Sequence, residues 1–107
     1  MIVTPATSVA GHRVVKTLGL VRGNTIRARH LGRDILAVLK NVVGGEIEEY
    51  TKMMAEAREQ AIGRMVEEAA ALGANAITTV RFSTSYMMGA ASEILVYGNA
   101  VLIEPER

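Results

Sequence analysis

The stretch that decides the fold is residues 46–72, EIEEYTKMMAEAREQAIGRMVEEAAAL. Ile47, Tyr50, Met54, Ala57, Ala61, Met65, Ala69 and Leu72 recur at steps of three and four, which puts one apolar stripe on a long helix. Glu46, Glu48 and Glu49 crowd the first turns, where acids complement the positive end of the helix dipole. Glu48 and Lys52 make a favourable i,i+4 pair. Gly73 follows as the expected left-handed C′ residue. Gly63 disturbs the helix interior, at about 1 kcal/mol relative to alanine. A residue that small suits the close approach of another backbone.

Upstream, Ile35, Leu36, Val38, Leu39, Val42 and Val43 fall at helical spacings, so residues 31–43 read as a short helix closed by Gly44-Gly45. Before it, Val14 to Val21 is β-branched and apolar. It reads as a strand ending at a turn, Arg22-Gly23-Asn24, with a further short strand over Thr25 to Ala28. Pro5, Ser8 and Gly11 mark a loop, and Ile2-Val3 is long enough only for an edge strand. Downstream, Ala76 to Phe82 and Glu93 to Ile103 read as strands, with Ser83 to Ser92 as a loop or hairpin connection. The expected fold class is α+β: a small, mainly antiparallel sheet with one short and one long helix, in a single domain over residues 1–107.

Composition narrows the function classes. The chain has 107 residues, no cysteine, three tyrosines, one phenylalanine and 50% hydrophobic residues. That length argues against a two-domain enzyme, and the absence of cysteine against a disulfide scaffold. High aliphatic content with a net charge of +1 argues against disorder. No apolar run reaches the roughly 18 residues of a membrane helix. Met1-Ile2-Val3-Thr4-Pro5 has neither the basic region nor the apolar core of a signal peptide, so a cytoplasmic setting and no membrane partner are expected.

Charge is divided along the chain. Residues 1–45 carry seven basic groups and one acid; residues 46–107 carry five basic groups and ten acids. A basic half can mark a nucleic-acid surface. Here the basic residues are scattered singly and no aromatic residue is interleaved among them for stacking. The preferred reading is that the two halves meet, within a subunit or between subunits, and no nucleic-acid partner is expected.

Two features predict self-association. A 27-residue helix runs about 40 Å, whereas a compact domain of this size is roughly 34 Å across. The helix should therefore overhang, bend at Gly63 or lie along a neighbour. The strand Ile94 to Ile103 is also apolar at nearly every position, where a strand with one wet face should alternate. A layer of two helices covers one face only, and a second subunit is the simplest cover for the other.

Several segments together resemble a known family. They are Leu18-Gly19-Leu20-Val21-Arg22-Gly23, Arg33-Asp34, Val43-Gly44-Gly45, Tyr50, Ala57-Arg58 and Ala71-Leu72-Gly73-Ala74-Asn75-Ala76. In this order and spacing they resemble the small bacterial and archaeal YbjQ-like proteins, over nearly the whole chain. The resemblance implies a dodecin-type α+β subunit assembled as a ring-shaped homopentamer. It also implies a heavy-metal-binding label without an established function.

The residues themselves give that label little support. Soft ions want thiolate, and the chain has none. The two histidines, His12 and His30, both read as loop residues and belong to no HExxH-type pair. His12 with His30 of an adjacent subunit is the least poor metal candidate. Met53-Met54 lie about 100° apart on a helix and Met87-Met88 would point to opposite faces of a strand, so neither pair chelates. No cofactor is expected.

Enzyme activity ranks third, behind a structural or ligand-binding ring, with any ligand at subunit junctions, and behind metal binding. There is no GxSxG elbow, P-loop or GxGxxG. Glu56 with Glu59 and Glu67 with Glu68 read as solvated helix faces, and no catalytic residue is assigned. Arg58 adjoins the apolar stripe, and Asp34 is its candidate partner. With Gly63 they are the expected structural or interface residues. Ser83, Thr84, Ser85 and Tyr86 could line a pore or pocket but read first as a hydroxyl-rich loop.

Overall fold

A computed structural model describes residues 1–26, 47–87 and 90–106. Within these lie four strands and one helix: β1 (Ile2–Val3), β2 (His12–Ile26), α1 (Ile47–Ala71), β3 (Ala76–Met87) and β4 (Ala90–Pro105). They form one sheet in the order β1-β3-β4-β2. β1 is a parallel edge strand on β3, while β3 and β2 flank β4 antiparallel. The α+β class and the mainly antiparallel sheet hold. The short helix expected over 31–43 lies outside the described residues, as do His30 and Asp34.

The helix is the one the stripe predicts. Ala57, Ala61, Met65 and Ala69 are buried, with Met54, Ile62 and Val66 packed beside them. The stripe ends one residue early, because Leu72 is exposed beyond the last helical turn. Gly73 is left-handed at φ +88. The Gly73 amide donates to the Ala70 carbonyl at 3.0 Å, and the Ala74 amide donates to Ala69 at 3.1 Å. That is the paired bonding of a Schellman close.

α1 lies on one face of the sheet, over β2 and β4. Side-chain alternation brings Val21, Gly23 and Thr25 of β2 and Ile94, Val96, Gly98 and Ala100 of β4 beneath it, all buried. The expected turn at Arg22-Gly23-Asn24 does not exist, and β2 runs straight through it. Gly23 is there for packing. A Cβ at that position would overlap the Ala61 carbonyl of α1, so glycine lets the helix backbone sit against the strand. Thr25 Oγ1 donates to the Ala57 carbonyl at 3.3 Å in the same contact.

The region read as a connection, Ser83 to Ser92, is mostly strand. β3 continues to Met87 and β4 starts at Ala90, and these two residues pair. Its small and hydroxyl residues mimic a loop in composition, yet cross-strand pairing carries the ladder through them. The long ladders also overturn the compact-domain premise. The chain measures 58 × 24 × 16 Å with a radius of gyration of 17.1 Å, against about 13 Å for a compact chain of this length. A helix of 25 residues fits within that length without bending.

Among the described residues, the face away from α1 is covered in one half only. Ala76, Val101 and Ile103 are buried there beneath Val9, because the N-terminal segment folds back over them. That segment is held by hydrogen bonds from the Thr79 amide to Ala6 and from the Val80 amide to Thr4. So part of the strand expected to need a second subunit is covered by its own loop.

Candidate functional site

Among the described residues nothing covers the other half of that face. Register places three rows across it: Leu20 beside Asn99, then Arg22, Tyr97 and Arg81, then Asn24, Leu95 and Ser83. Leu20 is 61% exposed and Tyr97 36%. Arg22 and Arg81 are exposed. Neither has a carboxylate within ion-pair distance among the described residues. Arg81 is anchored by its Nη1, which donates to the Pro5 carbonyl at 2.9 Å and to its neighbour Val80 at 2.8 Å. Two cations, Arg81 anchored and Arg22 exposed, thus flank a phenol ring. Glu93 lies further along, accepting from Asn24 Nδ2 at 3.3 Å.

The opposite side of the subunit is the outer surface of α1. Glu56, Glu59, Gly63 and Glu67 are exposed there, at helical spacings of three and four. Gly63 was expected to admit another backbone. Among the described residues nothing lies within 4 Å of where its Cβ would be, and Gly23 makes the close approach instead. Arg58 is exposed, so its charge stays in water. The Arg64 guanidinium reaches the sheet and donates to the Asn24 carbonyl.

His12 is the first residue of β2, not a loop residue. Its Nδ1 lies 3.0 Å from the Ala10 carbonyl. A proton on Nδ1 then leaves Nε2 as the free lone pair, the usual orientation of a metal-ligating imidazole. Nearby, an open cleft of about 900 Å³ is lined by Arg13, Glu104, Pro105 and Glu106. Its Arg13–Glu104 ion pair spans 3.2 Å with both side chains mostly exposed, so it contributes little. Among the described residues no group of three or more His, Asp or Glu side chains is placed to hold a metal ion. The donor set therefore does not fit a heavy-metal site there. Ser83, Thr84, Ser85 and Tyr86 alternate along β3 and are exposed, with Tyr86 at 70%. Alternation sends successive hydroxyls to opposite faces, so they line no common pocket. Among the described residues no helix is long and apolar enough to cross a membrane.

Fold and surfaces together define a small α+β protein with one helix-covered sheet face and one partly open face. The chain belongs to the YbjQ family: residues 1–104 match the family model described as "Putative heavy-metal-binding". It is 62% identical to a UPF0145 protein of Dehalococcoides mccartyi over 104 residues, covering 97% of this chain and 100% of that one. It is 55% identical to a UPF0145 protein of Methanosarcina acetivorans, covering 96% and 97%. A UPF0145 protein of Thermus thermophilus is 52% identical, covering 100% and 94%. A crystal structure of a DUF74-family protein of unknown function from Pediococcus pentosaceus shares the fold. Its TM-score is 0.56 at 17% identity, covering 99% of this chain and 98% of that one.

Proposed function

We propose that the chain is the subunit of a homo-oligomer, with a small ligand bound at subunit junctions. Five copies in a dodecin-like ring is the order that the family resemblance implies, and the cytoplasm is the setting that the sequence favours. The observation that carries self-assembly is the open half of the sheet, where Leu20 and Tyr97 stand in water beside half-buried Leu95. Val14 (44% exposed), on the same face, adds to it. Exposed apolar groups on one continuous sheet face are the mark of an interaction surface. The elongated shape supports the same reading, because a long thin chain buries less of its own surface than a compact one.

Light scattering after size exclusion, with native mass spectrometry, tests this. A discrete multiple of the 11.5 kDa chain is expected, and the native spectrum reports any retained small molecule. A folded species of one chain's mass overturns the reading. Metal binding is the second reading. It is supported by the family description and by the orientation of His12.

A further inference from the structure

We infer that the acidic outer ridge of α1 in one copy docks on the Arg22–Tyr97–Arg81 row of the next, so that subunits join face to back. This rests on the self-assembly reading above and names the two surfaces that meet. Charge complementarity carries it. Glu56, Glu59 and Glu67 stand along one ridge of α1, and none has an ion-pair partner among the described residues. Arg22 and Arg81 stand equally unpaired by carboxylates on the far side of the same subunit. The ridge is mainly acidic and the row mainly basic. Lys52 begins the ridge one turn before Glu56, and Glu93 ends the sheet row pattern, so the two minority charges are of opposite sign as well.

Shape agrees with charge. A missing side chain lets a helix lie closer on a sheet, as Gly23 shows beneath α1 within the chain. On the outer ridge that gap is Gly63, exposed, central among the glutamates and without a neighbour among the described residues. Tyr97 and Leu20 supply an apolar centre, and the arginines supply a charged rim, the usual anatomy of a specific interface. The arrangement also has a direction. The ridge and the row are on opposite sides of one subunit, so each copy offers one to its neighbour and the other to the next. Such a heterologous contact closes into a ring or runs on as a filament. A two-fold dimer through the sheet face would instead bring arginines against arginines.

The test is a charge swap read by light scattering at micromolar concentration. Arg22→Glu with Arg81→Glu is expected to reduce the wild-type oligomer to single chains, and Glu56→Lys, Glu59→Lys and Glu67→Lys together to do the same. All five substitutions in one chain are expected to restore the wild-type mass. The positions are exposed, and circular dichroism confirms that each variant folds. The milder pair Arg22→Gln with Arg81→Gln is expected to weaken assembly at least tenfold without new repulsion. Wild-type mass in either reversed variant, or no recovery in the combined one, overturns the docking. A wild-type chain that is itself single overturns the self-assembly reading first, which separates the two failures.

Discussion

The Asn75 carboxamide holds both backbone polar groups of Ile103. Its Nδ2 donates to the Ile103 carbonyl at 2.9 Å, and its Oδ1 accepts from the Ile103 amide at 2.8 Å. β3 begins only at Ala76, paired with Val101, so β4 outruns its neighbour at this end. One side chain extends the ladder where the strand has not yet started. Ile103 is buried and the two bonds are part-buried, so water reaches these groups poorly.

Asn75→Ala should therefore leave two part-buried backbone groups without their protein partner. The expected loss is about 2 kcal/mol, seen as a melting temperature lowered by roughly 10 °C. Thermal denaturation checks it. An unchanged midpoint would mean that the clamp does not stabilise the sheet end.

Two glycines should respond in opposite ways to alanine. At Gly23 the added Cβ meets helix backbone, which cannot rotate away. Gly23→Ala is expected to cost about 3 kcal/mol or more. At Gly63 the space is open and the position is helical, so Gly63→Ala should gain about 1 kcal/mol in the folded subunit. Gly63→Trp should leave the helix intact, by circular dichroism, and weaken assembly if the ridge is a contact surface.

Thr79 has φ +55, a left-handed conformation that is costly for a β-branched residue. It sits where β3 is out of register with β4, and its amide is turned to the Ala6 carbonyl at 2.9 Å. Thr79→Gly relieves that strain. A gain of about 1 kcal/mol is expected in urea denaturation, with the slope unchanged. A loss would show that the threonine side chain contributes more than its backbone costs.

Equilibrium dialysis of untagged protein against Zn(II), Cu(I) and Ni(II) addresses the metal reading. No saturable binding below millimolar is expected from the donors described. A stoichiometric ion lost on His12→Ala would establish a metal site that includes His12.

Met65 is the largest wholly buried side chain among the described residues. Met65→Ala is expected to destabilise by about 2–5 kcal/mol, read by denaturant midpoint, because the cavity lies between α1 and the sheet.

The sequence by itself determined the long helix, its Gly73 close, the edge position of Ile2-Val3 and the antiparallel pair that follows. Each depends on local spacing: a stripe at 3.6 residues, a glycine after the last turn, β-branched runs. The same local signals misread Gly23 as a turn and Ser83 to Ser92 as mainly a connection. Glycine and small hydroxyl residues announce conformational freedom, and only a neighbour shows whether that freedom serves a turn, a close contact or a paired strand. The Arg22–Tyr97–Arg81 row was equally hidden, since its members are 75 and 16 positions from one another in order of the chain. Cross-strand register alone set them side by side. The Asn75 clamp, the half of the face covered by Val9 and the half left open were likewise decided by tertiary structure, because hydrogen bonding and burial between distant segments have no period that a single stretch of sequence can carry.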